Sequence, residues 1–312
     1  MLKKLKMYSG RIFVLGGVSL MLVYIFASNH TLKIFFRGIE SVLPHQQVTK
    51  KLYQWKTAYF SAEDSKQKTQ QEIEKEFEID TKKTDKQTSI EGIEIPKSSF
   101  SDEIIQHSYY TLAYSEEHEQ ARWVAYKLSK KNLSHKVTRR NEHFEPDPKV
   151  STGSAIPADY GGSGYDRGHL APAGDFTANE TMMKETFFMS NMSPQKPLCN
   201  RETWRLLEEQ VRRWAEKKGE IYVITGPVFA EKMPHIGKKN KIAVPPAYFK
   251  IIYEPAQKKA IAFIVPNINK KEDYKTYQVK VDEVEKATQL DFLHLLSDEL
   301  EQKIEAEKVG KF

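Results

Sequence analysis

Tyr165-Asp166-Arg167-Gly168-His169-Leu170-Ala171-Pro172-Ala173-Gly174-Asp175 is the stretch on which the reading of this chain turns. It sets a carboxylate, a guanidinium and an imidazole within four consecutive positions, and the glycine-rich approach Gly161-Gly162-Ser163-Gly164 precedes it. Glycine costs backbone entropy in a helix and proline lacks the amide donor, so the segment is poorly suited to one. It predicts a loop entering a short extended segment whose polar side chains point at a common target.

Composition bounds what surrounds it. The chain has 312 residues, with 39% hydrophobic, 11% aromatic and 29% charged residues. That suffices for one domain with a real core plus appendages. The formal charge of +6 is unevenly placed: residues 1–61 carry +8, residues 62–94 carry −4, and the rest carries +2. Bulk charge on the body therefore gives little support for a polyanion partner, and local basic clusters would have to supply it. The single cysteine, Cys199, excludes an intramolecular disulfide framework and a multi-cysteine zinc site. A thiol nucleophile lacks any recognisable sequence context there.

Residues 12–27 form an uncharged apolar run preceded by Lys3, Lys4, Lys6 and Arg11. A spanning helix needs about 20 apolar residues, and this run extends to about Leu32. It reads as a transmembrane anchor or signal segment (residues 12–32) behind a basic segment (residues 1–11). The small-residue exit expected of a cleaved signal is weak at Ile25-Phe26-Ala27, which favours an uncleaved anchor. The flanking lysines then place the body on the extracytoplasmic side, periplasmic or extracellular. Secretion after cleavage stays open, as does a mitochondrial presequence, because no acid precedes Glu40. Residues 33–100 read as an amphipathic juxtamembrane segment followed by a charged linker. The folded body is expected over residues 101–312.

Within the body, residues 108–114 and 121–128 are rich in aromatic and branched side chains and predict paired strands. A polar loop with Arg139, Arg140, Phe144 and Asp147 leads to the opening stretch. Residues 182–186 predict a helical turn, 187–190 a buried strand and 191–195 a loop. A helix is expected from Asn200 to about Lys218, ended by Gly219. Strands are expected at 221–225, 247–253 and 259–265, and one or two amphipathic helices at 281–304. Strands and helices mix without βαβ regularity, so the class is α+β.

On the Asn200 helix, Trp204, Leu207, Val211 and Trp214 fall on one stripe at about 100° per residue. Asn200 heads that stripe and points toward the body. An amide oxygen there can coordinate a hard cation, which prefers oxygen ligands. Glu208, two turns on, can accept hydrogen bonds from the cation's waters. Plainer readings stand beside these: Asn200 as a helix cap, Glu208 and Arg212 as a solvated i,i+4 pair, His169 as a structural histidine. With His169 as a base, the ensemble reads as a metal-assisted phosphodiesterase.

Asp166-Arg167-Gly168-His169 within its flanks resembles the signature of the DNA/RNA non-specific endonucleases. These include endonuclease G and belong to the ββα-metal, or His-Me finger, nucleases. The resemblance continues through Glu185-Thr186-Phe187, Ser190-Asn191-Met192-Ser193-Pro194-Gln195, Asn200, Trp204, Glu208, Arg212, Thr225-Gly226-Pro227 and Phe263-Ile264-Val265-Pro266-Asn267. It implies an α+β fold with a ββα-metal core in a mixed, mainly antiparallel sheet flanked by helices, behind the N-terminal transmembrane helix read above. It implies His169 as general base, Asn200 as direct ligand to magnesium (manganese substituting), and Glu208 as the holder of metal-bound water. Arg167 and Asn191 match further active-site positions. Arg140, or its neighbour Arg139, and Arg212 match substrate-side arginines. DNA and RNA are the implied substrates, 5′-phosphates the implied product ends, and a homodimer the implied assembly. A catalytically silent nucleic-acid-binding domain on this fold, and a hydrolase of another phosphodiester, remain the rival readings.

Overall fold

Alternation of large apolar side chains along four long strands builds the frame, as the computed structural model shows for residues 91–134, 137, 143–310 and 312. The chain divides into two compact units, Met1–Lys83 and Thr84–Phe312, and the described residues belong to the second. The expected anchor over 12–32, the amphipathic segment after it and both Arg139 and Arg140 lie outside the described residues. Among the described residues no helix is long and apolar enough to cross a membrane.

Seven strands form one sheet in the order β1-β2-β3-β6-β9-β10-β11. They are β1 (Glu103–Gln106), β2 (Thr111–Ser115), β3 (Gln120–Ser129), β6 (Glu220–Val228), β9 (Ala247–Glu254), β10 (Lys259–Pro266) and β11 (Gln278–Val279), while β7 (His235–Ile236) and β8 (Ile242–Ala243) pair only with each other. Every neighbouring pair is antiparallel. Successive side chains of a strand point to opposite faces, and the buried residues obey that period. On β3, Val124, Tyr126 and Leu128 enter one core while Trp123 and Ala125 enter the other. On β10, Ile261, Phe263 and Val265 face the first core, and Ala260 and Ala262 the second. Both faces are covered, which is why these strands read as nearly continuous apolar runs.

The first face carries the opening stretch, a helical turn α1 (Glu180–Glu185) and helix α2 (Arg205–Lys218). The stripe read from the sequence is the face that α2 buries: Trp204, Leu207, Val211 and Ala215 are all 1% exposed or less, and Trp214 packs at the margin. Full burial of a Leu or Val side chain is worth about 1.5–3 kcal/mol, so this stripe fixes the helix to the sheet. Gly219 ends the helix with φ 95°, a left-handed conformation that favours glycine. The second face carries α3 (Val281–Thr288) and α4 (Asp298–Glu305), through Val281, Val284 and Ile304.

Three expectations are corrected. Residues 187–190 are not a strand: Phe187 to Ser190 run through turns into a short 3-10 segment, Met189–Asn191, with a single bridge from Phe188 to Glu145. Their apolar character reflects burial among His169, Phe144 and the 3-10 turn, not a pleat. The expected loop at 191–195 contains strand β5 (Met192–Gln195), paired with β4 (Asp166–His169) in a separate two-stranded sheet. Pro194 argues against a strand by sequence, yet a two-stranded sheet has only edges, where proline is tolerated. Finally, ordered packing starts upstream of residue 101. Ile93 is buried in the second core, and Lys97 exchanges backbone hydrogen bonds with Asp291 at 2.8 and 3.0 Å.

Buried polar groups knit the loops to the sheet. Asp147 accepts from His107 Nε2 at 2.9 Å and Ser190 Oγ at 2.5 Å. Burial pushes its carboxyl up, but the hydrogen bonds from His107 and Ser190 outweigh it and hold the group below the usual carboxylate range. Its folded pKa therefore lies below the unfolded value of about 3.9. The stability it confers is present above that value and is lost as pH falls through the folded pKa. Asp147→Asn should accordingly lower the denaturant midpoint at pH 7, and the gap to the wild type should narrow by pH 3.

Candidate active site

The site is a strand–strand–helix unit laid on the first face of the sheet. Strands β4 and β5 run antiparallel with Asp166 opposite Gln195 and His169 opposite Met192. From Gln195 the chain turns into a π-helical segment, Cys199–Trp204, that passes directly into α2. The sequence thus puts His169 at the end of one strand and Asn200 at the start of the helix that follows its partner.

Strand β5 is tied to the sheet beneath. Ser193 donates to Gln120 Oε1 at 2.5 Å on β3, and Tyr248 of β9 donates to the Pro194 carbonyl at 2.9 Å. Asn267 donates to that same carbonyl at 3.0 Å. Gly168 of β4 has no room for a side chain, since an added Cβ would lie 2.2 Å from Gln195 Oε1. Gln195 is fully buried and has little room to yield. Gly168→Ala should therefore push the two strands apart, costing about 1–3 kcal/mol of stability by overpacking and displacing the adjacent His169. A thermal melt beside a nuclease assay checks both parts.

His169 is half-buried between aromatic walls. Phe187 meets its ring edge-on at 5.0 Å and Phe144 stands 5.8 Å away. The backbone leaving His169 is clamped by Asn191. The Asn191 carbonyl accepts from Leu170 N, its Oδ1 accepts from Ala171 N at 2.9 Å, and its Nδ2 donates to the carbonyls of Ala171 and Thr186. Its amide is thereby used on the backbone, so Asn191 positions the exit from β4. Arg167 lies with its guanidinium 5.1 Å from the Phe144 ring and donates to the Pro157 carbonyl at 2.8 Å. That ties the motif arginine to the loop before β4.

Asn200 is not a helix cap. The residue before the π-helical turn is Leu198, itself helical, and Asn200 sits one turn-position inside. Its amide Nδ2 donates to Asp166 Oδ2 at 2.9 Å. Asp166, an acceptor-only carboxylate, also takes two bonds from Arg201, at 2.8 and 2.6 Å. Burial pushes the Asp166 carboxyl up, and the bonds from Arg201 and Asn200 more than reverse that, holding it below its usual range. The carboxylate therefore dictates which way the Asn200 amide is turned, leaving Oδ1 as the open hard donor. An amide oxygen on a half-buried side chain suits a hydrated magnesium ion, which prefers oxygen ligands and keeps several waters, so Asn200 fits that metal. The cysteine next to it is buried, and burial pushes its thiol up to about 12, which leaves it protonated and unreactive.

Deeper in the unit, α2, which carries Glu208 and Arg212, packs on strands β3 and β6. Arg212 Nη1 pairs with Asp175 at 2.9 Å, and Tyr126 of β3 donates to the same carboxylate at 2.7 Å. Asp175 is fully buried. Lys250, at the centre of β9, is 1% exposed, and its ammonium lies 4.7 Å from the Trp204 ring with no hydrogen-bond partner among the described residues. Burial pushes this lysine down to about 8, while the charges of Glu208 and Asp175 pull it back up. Sequence reading assigned no role to Asp166, Asp175 or Lys250. Lys250 was detectable, as a lysine in the middle of an otherwise apolar strand.

The comparisons agree with this geometry. The family model described as DNA/RNA non-specific endonuclease matches residues 92–299. Nuclease C1 of Cunninghamella echinulata var. echinulata is 36% identical over 211 residues, covering 62% of this chain and 84% of that protein. Human mitochondrial endonuclease G is 32% identical over 199 residues, covering 59% of this chain and 67% of that protein. Among solved structures, the EndoG chain of the EndoG/EndoGI complex, described as showing the mechanism of EndoG inhibition, aligns with a TM-score of 0.60 at 29% identity. It covers 68% of this chain and 94% of that chain. A strand–strand–helix unit on an antiparallel sheet with this likeness defines a hydrolytic nuclease of the endonuclease G type. The chain belongs to the DNA/RNA non-specific endonuclease family.

Proposed function

We propose that the chain cleaves DNA and RNA by magnesium-dependent hydrolysis, with His169 as general base and 5′-phosphate product ends. The observation that carries this reading is the Asp166–Asn200 contact, which turns an amide oxygen outward at the head of the helix that follows the His169 strand pair. In this reading Asn200 Oδ1 holds the metal directly and Glu208 holds it through water. The bound cation would neutralise charge developing on the phosphate and the leaving 3′ oxygen. Neutral His169 takes the proton of the attacking water, because imidazole titrates near neutral pH. The aromatic walls hold its ring in one orientation. Asn191 serves by fixing the backbone behind it, and Arg167 by fixing the loop in front. Arg212 neutralises buried carboxylate beside Glu208. Arg140 or Arg139 contacts substrate phosphate, and phosphate contacts carry no base information, which accords with low sequence specificity.

The relatives named mitochondrial support a mitochondrial destination for the acid-free N-terminal segment, and a membrane anchor is its rival. N-terminal sequencing of the mature chain separates the two. For the activity itself, the full chain is expected to degrade plasmid and RNA in magnesium and to stop when EDTA is added. Undiminished cleavage in EDTA would rule the metal out. Binding of DNA in magnesium without any cleavage would rule out the hydrolysis.

A further inference from the structure

On the face of the sheet opposite the active site, helices α3 and α4 bring three carboxylates together. One oxygen each from Asp282, Glu285 and Glu305 lies within 4.8 Å of the others. Clusters of acids on a surface are common and by themselves mean little. Here one member is in the wrong place for a solvated acid. Glu305 is 6% exposed, and its Oε1 is buried without a hydrogen-bond partner. Among the described residues, one hydrogen bond reaches the triad, from Phe292 N to Glu285 Oε1 at 2.8 Å. Lys97 is drawn to the adjacent Asp291 at 3.4 Å and not to the triad. A buried carboxylate aimed at two others, with no ion pair to it among the described residues, is costly unless something neutralises it.

We propose that Asp282, Glu285 and Glu305 bind a calcium-class divalent cation that staples α4 to α3. Calcium accepts six to eight oxygens at about 2.3–2.6 Å, so two ligands of one ion stand at most about 5 Å apart. The mutual spacing of the triad, within 4.8 Å, falls inside that span. Magnesium demands near-ideal octahedral geometry at about 2.0–2.1 Å and gives up its waters reluctantly, so a cage of three protein carboxylates suits calcium better. Asp282 is exposed, Glu285 half-buried and Glu305 buried, so the site opens to solvent on one side for arrival of the ion and its waters. Asp282 and Glu285 lie three residues apart on one face of α3, and Glu305 is the last residue of α4. The ion would tie the C-terminal end of α4 to α3. In its absence, burial with Glu285 and Glu301 nearby pushes the Glu305 carboxyl up to about 9, so a proton competes for the same place.

The site is separable from the active site by mutation. Equilibrium dialysis of the full chain carrying Asn200→Ala against calcium alone should find about one ion per chain. Adding Asp282→Asn and Glu305→Gln should weaken that binding at least tenfold. Calcium should also raise the Tm of the wild-type chain by several degrees and leave the Tm of Asp282→Asn, an exposed and fold-neutral change, nearly unmoved. Magnesium-dependent nuclease activity of Asp282→Asn should match the wild type. The idea fails if Asn200→Ala binds no calcium, if the triad variants bind it as tightly, or if Glu305→Gln is as stable as the wild type in calcium. The last result would mean that Glu305 is merely a protonated core residue.

Discussion

Replacing His169 by alanine should lower the rate of plasmid cleavage in magnesium by about 10³-fold or more while the fold remains intact. General-base catalysis by a positioned side chain is worth about 10²–10⁴ in rate, and no second imidazole lines β4 or β5 to substitute. The ring is half-buried and its neighbours Phe144 and Phe187 pack on each other at 5.3 Å, so its loss leaves a small gap at the margin of the core. A melting temperature within a few degrees of the wild type, beside an inactive enzyme, is the expected pair of results. Substantial activity in this variant would remove His169 as the base. Loss of both activity and fold would leave the assignment to be tested by His169→Gln, which keeps polarity and bulk without the titrating ring.

The second large effect falls on stability. Asp175 is the only fully buried acid beneath α2 among the described residues, and two cations depend on it: Arg212 by direct pairing, Lys250 through the field. Asp175→Asn keeps the shape and removes the charge. Breaking one side of a buried pair costs about 3–5 kcal/mol, so unfolding in urea should shift by roughly that amount. In a body of this size that is on the order of 6–15 °C in Tm. Lys250→Met placed in the same background should recover part of the loss, because it removes one of the two buried cations that Asp175 helps to neutralise. Residues in one charge network couple by about 0.5–3 kcal/mol, which a double-mutant cycle would read. Strict additivity would show that Lys250 and Asp175 do not share a network.

The sequence made the long strands and the helix stripe legible because burial there follows a period. β3, β6, β9 and β10 each appear as branched and aromatic runs, and Trp204-Leu207-Val211 appear at helical spacing. His169 and Asn200 were legible only through motif resemblance, since neither an imidazole in a loop nor an asparagine near a helix start is distinctive alone. The exchange of strand and loop around residues 187–195 has a physical cause. Phe187, Phe188 and Met189 are apolar because they are enclosed on all sides, whereas Met192-Ser193-Pro194-Gln195 pair along one edge and satisfy their polar groups through side chains of the sheet. Asp166 and Asp175 stood in the opening stretch, yet their partners lie on other elements, and spacing within a segment carries no information about those contacts. Arg139 and Arg140 lie outside the described residues.

The π-helical turn at Cys199–Trp204 gives one helix two phases. An α-helix advances about 100° per residue, and a turn closed over five residues in place of four slips that count by one position. From Trp204 onward the helix keeps time with the core; ahead of it, Asn200 is set out of step and meets Asp166 instead of the stripe. Substitutions in the later part therefore tune how firmly the body holds together. A change in the number of residues between Gln195 and Trp204 would act differently, swinging the amide oxygen away from its place while leaving the hydrophobic contacts of α2 untouched. The short segment works as an indexing device, through its length more than its composition.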